Sequence, residues 1–235
     1  MYFQALATDY DGTLAHHGKV DETTTLALER LRTSGRKVIL VTGRELGELE
    51  EVCPRLDLFD LIVAENGALL FDPANDDEVL LAEPPSDTLI ARLRAENLPD
   101  LSIGRTIIAT REPYETVVLE AIRELGLELQ IIFNKGAVMI LPSNVNKATG
   151  LAAALERLGL SSKNVVGVGD AENDHAFIKA CGCAAAVANA IPALIDEVDL
   201  VTEGRAGAGV TELIDRMIAT DLADVLSAHR RVRVV

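Results

Sequence analysis

Phe3-Gln4-Ala5-Leu6-Ala7-Thr8-Asp9-Tyr10-Asp11-Gly12-Thr13 decides how the chain is read: a short apolar run stops abruptly at two acids and a glycine. Apolar runs rich in Val, Ile and Leu return at residues 37–42 and 61–64. Amphipathic helical stretches at about 21–34 and 45–56 separate them, with Gly35 placed as a helix stop. This alternation is the pattern of parallel strands buried on both faces, so an α/β sheet is expected. The rhythm resumes after residue 146 with a helix at 147–158 ending at Gly159, a strand at 165–168 and a helix from Glu172. A small-residue strand at 184–187 and a helix around 210–218 complete it, and the two halves are expected to share one sheet.

The middle reads differently. Turn-rich breaks at 71–77 and 141–144 bracket a helix at 86–97, a strand at 101–110, a helix at 113–125 and strands at 128–133 and 137–141. Lys135-Gly136 supplies hairpin turn material. Residues 83–142 therefore read as an inserted, smaller α+β domain that covers something, on a core made of 1–82 and 143–235.

The 235 residues carry 22 Lys and Arg against 37 Asp and Glu, a formal charge of −15, and 49% are hydrophobic. That balance opposes nucleic acid as a partner, since the one local basic cluster is Arg230-Arg231-Val232-Arg233. The most apolar stretch, 179–196, contains Gly182, Asn189 and Pro192 and is too short to span a bilayer, so no membrane partner is expected. Residues 1–6 lack the features of a secretory signal. Cys53, Cys181 and Cys183 are odd in number and without framework spacing, which predicts free thiols in a cytoplasmic protein. A monomer and a homodimer both suit the sequence.

Every strong polar signature follows a predicted strand: residues 9–13, Thr42-Gly43-Arg44, Glu65-Asn66-Gly67 and Gly169-Asp170-Ala171-Glu172-Asn173-Asp174. Ligands of open parallel sheets bind at the carboxyl ends of strands, so these groups are expected to converge. Asp9 and Asp11 are two apart in an extended segment, which points both carboxylates one way and Tyr10 the other. A metal, or a raised pKa on one acid, relieves their repulsion. Alone, the pair also suits a turn ahead of Gly12. Asp170 and Asp174 alone read as a strand-end turn residue and a first-turn acid. Four acids at one edge call for a divalent cation, and Mg²⁺ suits carboxylates, water and phosphate. Thr42 offers a hydroxyl, Gly43 a close backbone approach, and Lys147 an ammonium at a helix start after Asn146, where an anion is welcome. Gly167-Val168-Gly169 opens like a dinucleotide fingerprint, but Glu172 stands at the third glycine position. Cys181-Gly182-Cys183 lacks a second ligand pair and reads as buried, and His16-His17 as exposed loop residues.

Asp9-Tyr10-Asp11-Gly12-Thr13-Leu14, Thr42-Gly43-Arg44, Lys147 and residues 169–174 resemble, in order, the four motifs of the haloacid dehalogenase superfamily. The insert and Glu65-Asn66-Gly67 resemble its IIB subclass, which includes archaeal phosphoglycolate phosphatases and sucrose-phosphate phosphatases. The resemblance implies a Rossmann-like parallel core with an α+β cap, and Mg²⁺-dependent hydrolysis of a small phosphorylated metabolite such as a sugar phosphate or phosphoglycolate. It implies that Asp9 becomes an aspartyl-phosphate and that Asp11 is the acid and base. Thr42, Gly43 and Lys147 would hold phosphoryl oxygens, and Arg44 and Asn173 would support substrate binding. Mg²⁺ would sit on Asp9, the backbone carbonyl of Asp11, Asp170 and Asp174. A phosphomutase shares this phosphoenzyme. Asp11 argues against a dehalogenase and against a signalling receiver, since a positioned acid/base turns an acyl phosphate over. In the insert, Arg105, Arg111 and Lys135 read as exposed basic residues or as grips for a substrate anion.

Overall fold

The structure, a computed structural model, describes residues 1–225, so the arginine cluster at 230–233 lies outside the described residues. The chain runs through β1 (Ala5–Thr8), α1 (Glu22–Thr33), β2 (Lys37–Val41), α2 (Leu46–Val52) and β3 (Leu61–Ala64). A hairpin of β4 (Leu69–Asp72) and β5 (Asp77–Leu80) follows. Next come α3 (Asp87–Ala95), β6 (Ser102–Ile103), β7 (Ile108–Arg111), α4 (Glu115–Glu124), β8 (Leu129–Asn134) and β9 (Ala137–Pro142). The last part holds α5 (Lys147–Leu158), β10 (Val165–Gly169), α6 (His175–Ala180), β11 (Cys183–Ala186), α7 (Pro192–Ile195), β12 (Leu200–Val201) and α8 (Ala206–Thr220).

Both halves of the chain build one eight-stranded sheet, ordered β12-β11-β10-β1-β2-β3-β4-β5, whose pairings are parallel except for β3–β4 and β4–β5. Alternate residues of each central strand enter opposite cores. Leu6, Val38, Leu40, Ile62 and Val166 pack with Leu28 and Leu31 of α1 and Leu213 and Ile214 of α8. Ala7, Ile39, Val41 and Val63 pack with Leu151 and Leu155 of α5 and Phe177 of α6. Burial on both faces is why these strands read as unbroken apolar runs. Each such side chain contributes roughly 1.5–3 kcal/mol of burial.

Residues 102–142 form a separate four-stranded antiparallel sheet, β6-β7-β9-β8. On one face, Ile108, Val138 and Ile140 pack against Leu89 and Leu93 of α3 and Val118 and Ile122 of α4. On the other, Ile107, Met139 and Leu141 meet Ala68 and Val145 of the main body.

Several expectations are corrected. The run 101–110 is two strands, Ser102 opposite Ala109, with a turn at 104–107. The break at 71–77 is the turn of a hairpin and the ends of its two strands: Leu69–Phe71 is buried on the sheet, while β5, with two acids ahead of Val79 and Leu80, is a wholly exposed edge. The helix expected from Glu172 starts as a tight 3₁₀ turn, Glu172–Asp174, and becomes regular at His175. The last helix is longer than 210–218, and the short β12 and α7 carry no pattern to read.

Candidate active site

Register explains the meeting of the motifs. β1 pairs Thr8 with Val168 on one side and with Leu40 on the other. The chain therefore leaves β1 at Asp9 level with Gly169-Asp170 and Val41-Thr42, and the Asp9 N–H still donates to the carbonyl of Val168 at 3.0 Å. Thr42 N–H donates to Val63 O at 2.8 Å, which brings the end of β3 alongside. Tyr10 turns away into the core, as the two-residue period predicts, and its hydroxyl donates to Gly18 O and Val52 O.

Asp9, Asp170 and Asp174 are buried, with ligand atoms all within 4.8 Å of one another. Lys147, 1% exposed at the first turn of α5, donates from Nζ to Asp9 Oδ1 and Asp174 Oδ1, both at 2.6 Å. Asn146 caps that helix, its side chain accepting from Ala148 N and Thr149 N. Asp174 Oδ2 accepts from the amides of Asp170 and Ala171 at 2.9 Å, fixing the turn that carries Asp170. Burial, with Asp174 next and Lys147 opposing, pushes the Asp9 carboxyl up to about 7. For Lys147, burial works against the charge, but Asp174 and Asp9 outweigh it and the ammonium titrates above its usual range. Burial also raises Asp170, against the pull of Lys135.

Three acids converge in this cluster. The expected fourth, Asp11, stands apart: its carboxylate takes the fork of Arg44, Nε to Oδ2 at 2.5 Å and a second nitrogen to Oδ1 at 2.8 Å. Its backbone carbonyl does face the cluster, accepting from Lys135 Nζ at 2.7 Å. The same ammonium contacts both oxygens of Asp170, at 3.0 and 2.9 Å. Lys135 thus enters the site on the β8–β9 turn, whereas Arg105 and Arg111 pair at the surface with Glu78 and Asp100. His16 and His17 are exposed.

A cavity of about 230 Å³ opens where the strand ends face the small sheet. Asp9, Asp11, Thr42, Gly43, Arg44 and Asn173 form its wall on the main-sheet side. Ile107, Ala109, Lys135, Ala137 and Met139 close it from the small sheet. Thr42 Oγ1 accepts from Arg44 N at 3.1 Å. Asn173 donates to Asn66 Oδ1 at 3.0 Å, while its own Oδ1 is buried with no hydrogen-bond partner among the described residues.

Asn189 escapes sequence reasoning. Three residues beyond β11, its amide donates to Gly12 O and Asp170 Oδ2 and accepts from Ala206 N, tying the β1 loop to the β10 loop. Its place after a strand end is the only signal it carries.

Over residues 6–95 and 94–214 the chain matches the haloacid dehalogenase-like hydrolases. It belongs to that family. The hydrolase is 31% identical to a phosphoglycolate phosphatase from Methanothermobacter thermautotrophicus, over 92% of this chain and 99% of that protein. Its fold is similar to that of a subclass IIB sugar phosphatase, with a TM-score of 0.72 at 18% identity, covering 91% of this chain and 98% of that one. It is also similar to a sucrose-phosphatase from Synechocystis solved with sucrose and phosphate, with a TM-score of 0.68 at 20% identity over 91% and 98% of the two chains. The hydrolase is a phosphoric monoester hydrolase of this family.

Proposed function

We propose that the hydrolase cleaves a small phosphorylated metabolite through an aspartyl-phosphate on Asp9, assisted by Mg²⁺. The observation that carries this reading is Asp9 itself: it stands on the cavity wall with one oxygen held by a buried ammonium and two further carboxylates beside it. Three buried carboxylates against the ammonium groups of Lys147 and Lys135 leave the cluster negative, and its donors are all hard oxygens, which suit Mg²⁺. Asp9, Asp170, Asp174 and the Asp11 carbonyl would hold the ion. When bound it supplies charge neutralisation and orientation for the phosphoryl oxygens.

The chain's own residues do the rest. Lys147 fixes Asp9 through Oδ1, so an Asp9 oxygen is presented in line to phosphorus while the bond to the leaving oxygen breaks. Asp11, once out of the Arg44 fork and protonated, gives the leaving oxygen its proton and, as the carboxylate so formed, takes one from the water that hydrolyses the acyl phosphate. Thr42, Gly43 and Lys147 meet the charge that develops on the phosphoryl oxygens. Asn173 and Arg44 line the path of the substrate.

In this reading residues 83–142 are a cap on a core of 1–82 and 143–235, excluding water and selecting the leaving group. The cavity is smaller than the roughly 300–1,000 Å³ of drug-sized ligand sites, which favours a compact substrate. The name of the 31% identical relative makes phosphoglycolate the first to test. The free cysteines support a cytoplasmic enzyme, monomeric or homodimeric.

Asp9→Asn is expected to lower phosphate release from p-nitrophenyl phosphate or phosphoglycolate by at least about 10³-fold, with an unchanged circular dichroism spectrum. Turnover within tenfold of wild type would remove Asp9 as the nucleophile. A phosphoenzyme that forms and persists without multiple turnover would favour a receiver instead.

A further inference from the structure

Glu65 is a buried acid of the main body with no part in the chemistry above. It is 1% exposed, and all its side-chain partners lie in the turn between β6 and β7 of the small sheet. Oε1 accepts from Arg105 N at 2.8 Å. Oε2 accepts from Thr106 N and Thr106 Oγ1, each at 2.8 Å, and from Ile107 N at 3.2 Å. Three successive backbone amides closing on one carboxylate form an anion nest, and here the anion belongs to the protein. Gly104 belongs to the fit, because a Cβ there would lie 2.8 Å from Oε1.

The other end of Glu65 is tied to the catalytic loops. Its N–H donates to Arg44 O at 2.9 Å and that of Asn66 to Thr42 O at 3.0 Å. Glu65, Asn66 and Gly67 all have positive φ, a strained run held only by its surroundings. Gly67 lies so close to helix α5 that a Cβ would come within 2.0 Å of Asn146 O, one residue before Lys147. One short turn thus touches the segments bearing Thr42, Arg44 and Lys147 and, through its carboxylate, grips the loop whose Ile107 lines the cavity.

We infer that Glu65 is a positioning residue: its carboxylate seats the small sheet over the cavity, in register with the phosphate-binding loops. This rests on the phosphatase reading. Without the carboxylate, three backbone amides, two of them buried, lose their acceptor and the β6–β7 turn comes loose, while Asp9, Lys147 and Asp174 keep their contacts. A substrate that needs the small sheet for its grip then suffers. An aryl phosphate, activated and gripped at its phosphoryl group, does not.

The test compares Glu65→Gln, and Thr106→Val from the opposite side of the contact, with wild type on two substrates, and adds amide hydrogen exchange. Glu65→Gln is expected to raise KM for phosphoglycolate at least tenfold while kcat for p-nitrophenyl phosphate stays within twofold. Thr106→Val should move KM in the same direction by less. Exchange should accelerate at Arg105, Thr106 and Ile107 and stay unchanged in the β1–β10 ladder. Faster exchange with both substrates unaffected would make Glu65 a structural residue only, and unchanged exchange would overturn the seat altogether. Should wild type release phosphate from neither compound, the phosphatase reading fails, and the exchange result alone still decides whether Glu65 holds the loop.

Discussion

Lys147 shows how much one residue can organise. Burying an ammonium costs several kcal/mol, which its two carboxylate partners offset, so the charge persists where water is excluded. Asp9 bears the opposite consequence. With its carboxyl raised from 3.8 to about 7, chiefly by burial, the folded protein holds that proton more tightly than the unfolded chain does. The stability from this group is complete below about pH 4 and is lost as pH rises through 7. In chelator, wild type is expected to lose more melting temperature than Asp9→Asn between pH 5 and pH 8, because the amide does not titrate. Equal losses would show that Asp9 ionises normally. The acids are legible in the sequence because each stands just past a strand end or in the turn that follows. The separate role of the Asp11 carboxylate comes only from the family resemblance, and its partner is not legible, since that depends on where the fork of Arg44 reaches across from the next strand.

At the scale of the element, α5 joins a helix start to the buried ammonium of the candidate site. Asn146 and Thr149 form a capping box, and Lys147 is the next residue after the cap. Asn146→Ala should cost about 1 kcal/mol of stability. If the cap also aims Lys147, kcat should fall in the same variant with little change in KM, and a stability loss with kcat intact would confine the cap to folding. The central strands β1, β2, β3 and β10 announce themselves because both of their faces are buried. Strand β5 does not, since all four of its residues are exposed on the edge of the sheet. The break between β6 and β7 is invisible for another reason: Ile103 and Ile107-Ile108 look continuous in sequence, and the turn between them closes on the side chain of Glu65, forty residues away.

For the molecule as a whole, the acidic cluster links ligand binding to stability. A divalent cation that binds the folded state stabilises it by about 2.7 kcal/mol at a hundred times its Kd. Lys135 holds the Asp170 carboxylate and the Asp11 carbonyl, oxygens that the proposed ion would also take, so the two cations would compete. Mg²⁺ is expected to raise the melting temperature, EDTA to return it, and Lys135→Ala to enlarge the rise. A smaller rise in Lys135→Ala would show that the lysine assists the ion instead.

The pleat of the small sheet has a consequence for how this enzyme can change. Ala109, Ala137 and Met139 look into the cavity while Ile108, Val138 and Ile140 face α3 and α4, so neighbouring positions along two strands answer to different masters. Exchanging the inward set alters the volume and polarity of the ceiling and leaves untouched the packing on α3 and α4 and the acids on the opposite wall, although Met139 also carries the contact with Ala68 and Val145 of the main body. Under the proposed role of the small sheet, mutational drift can retune which molecule is accepted while the reaction stays as it is, and the two alanines are the places where an added methyl or hydroxyl should be felt first.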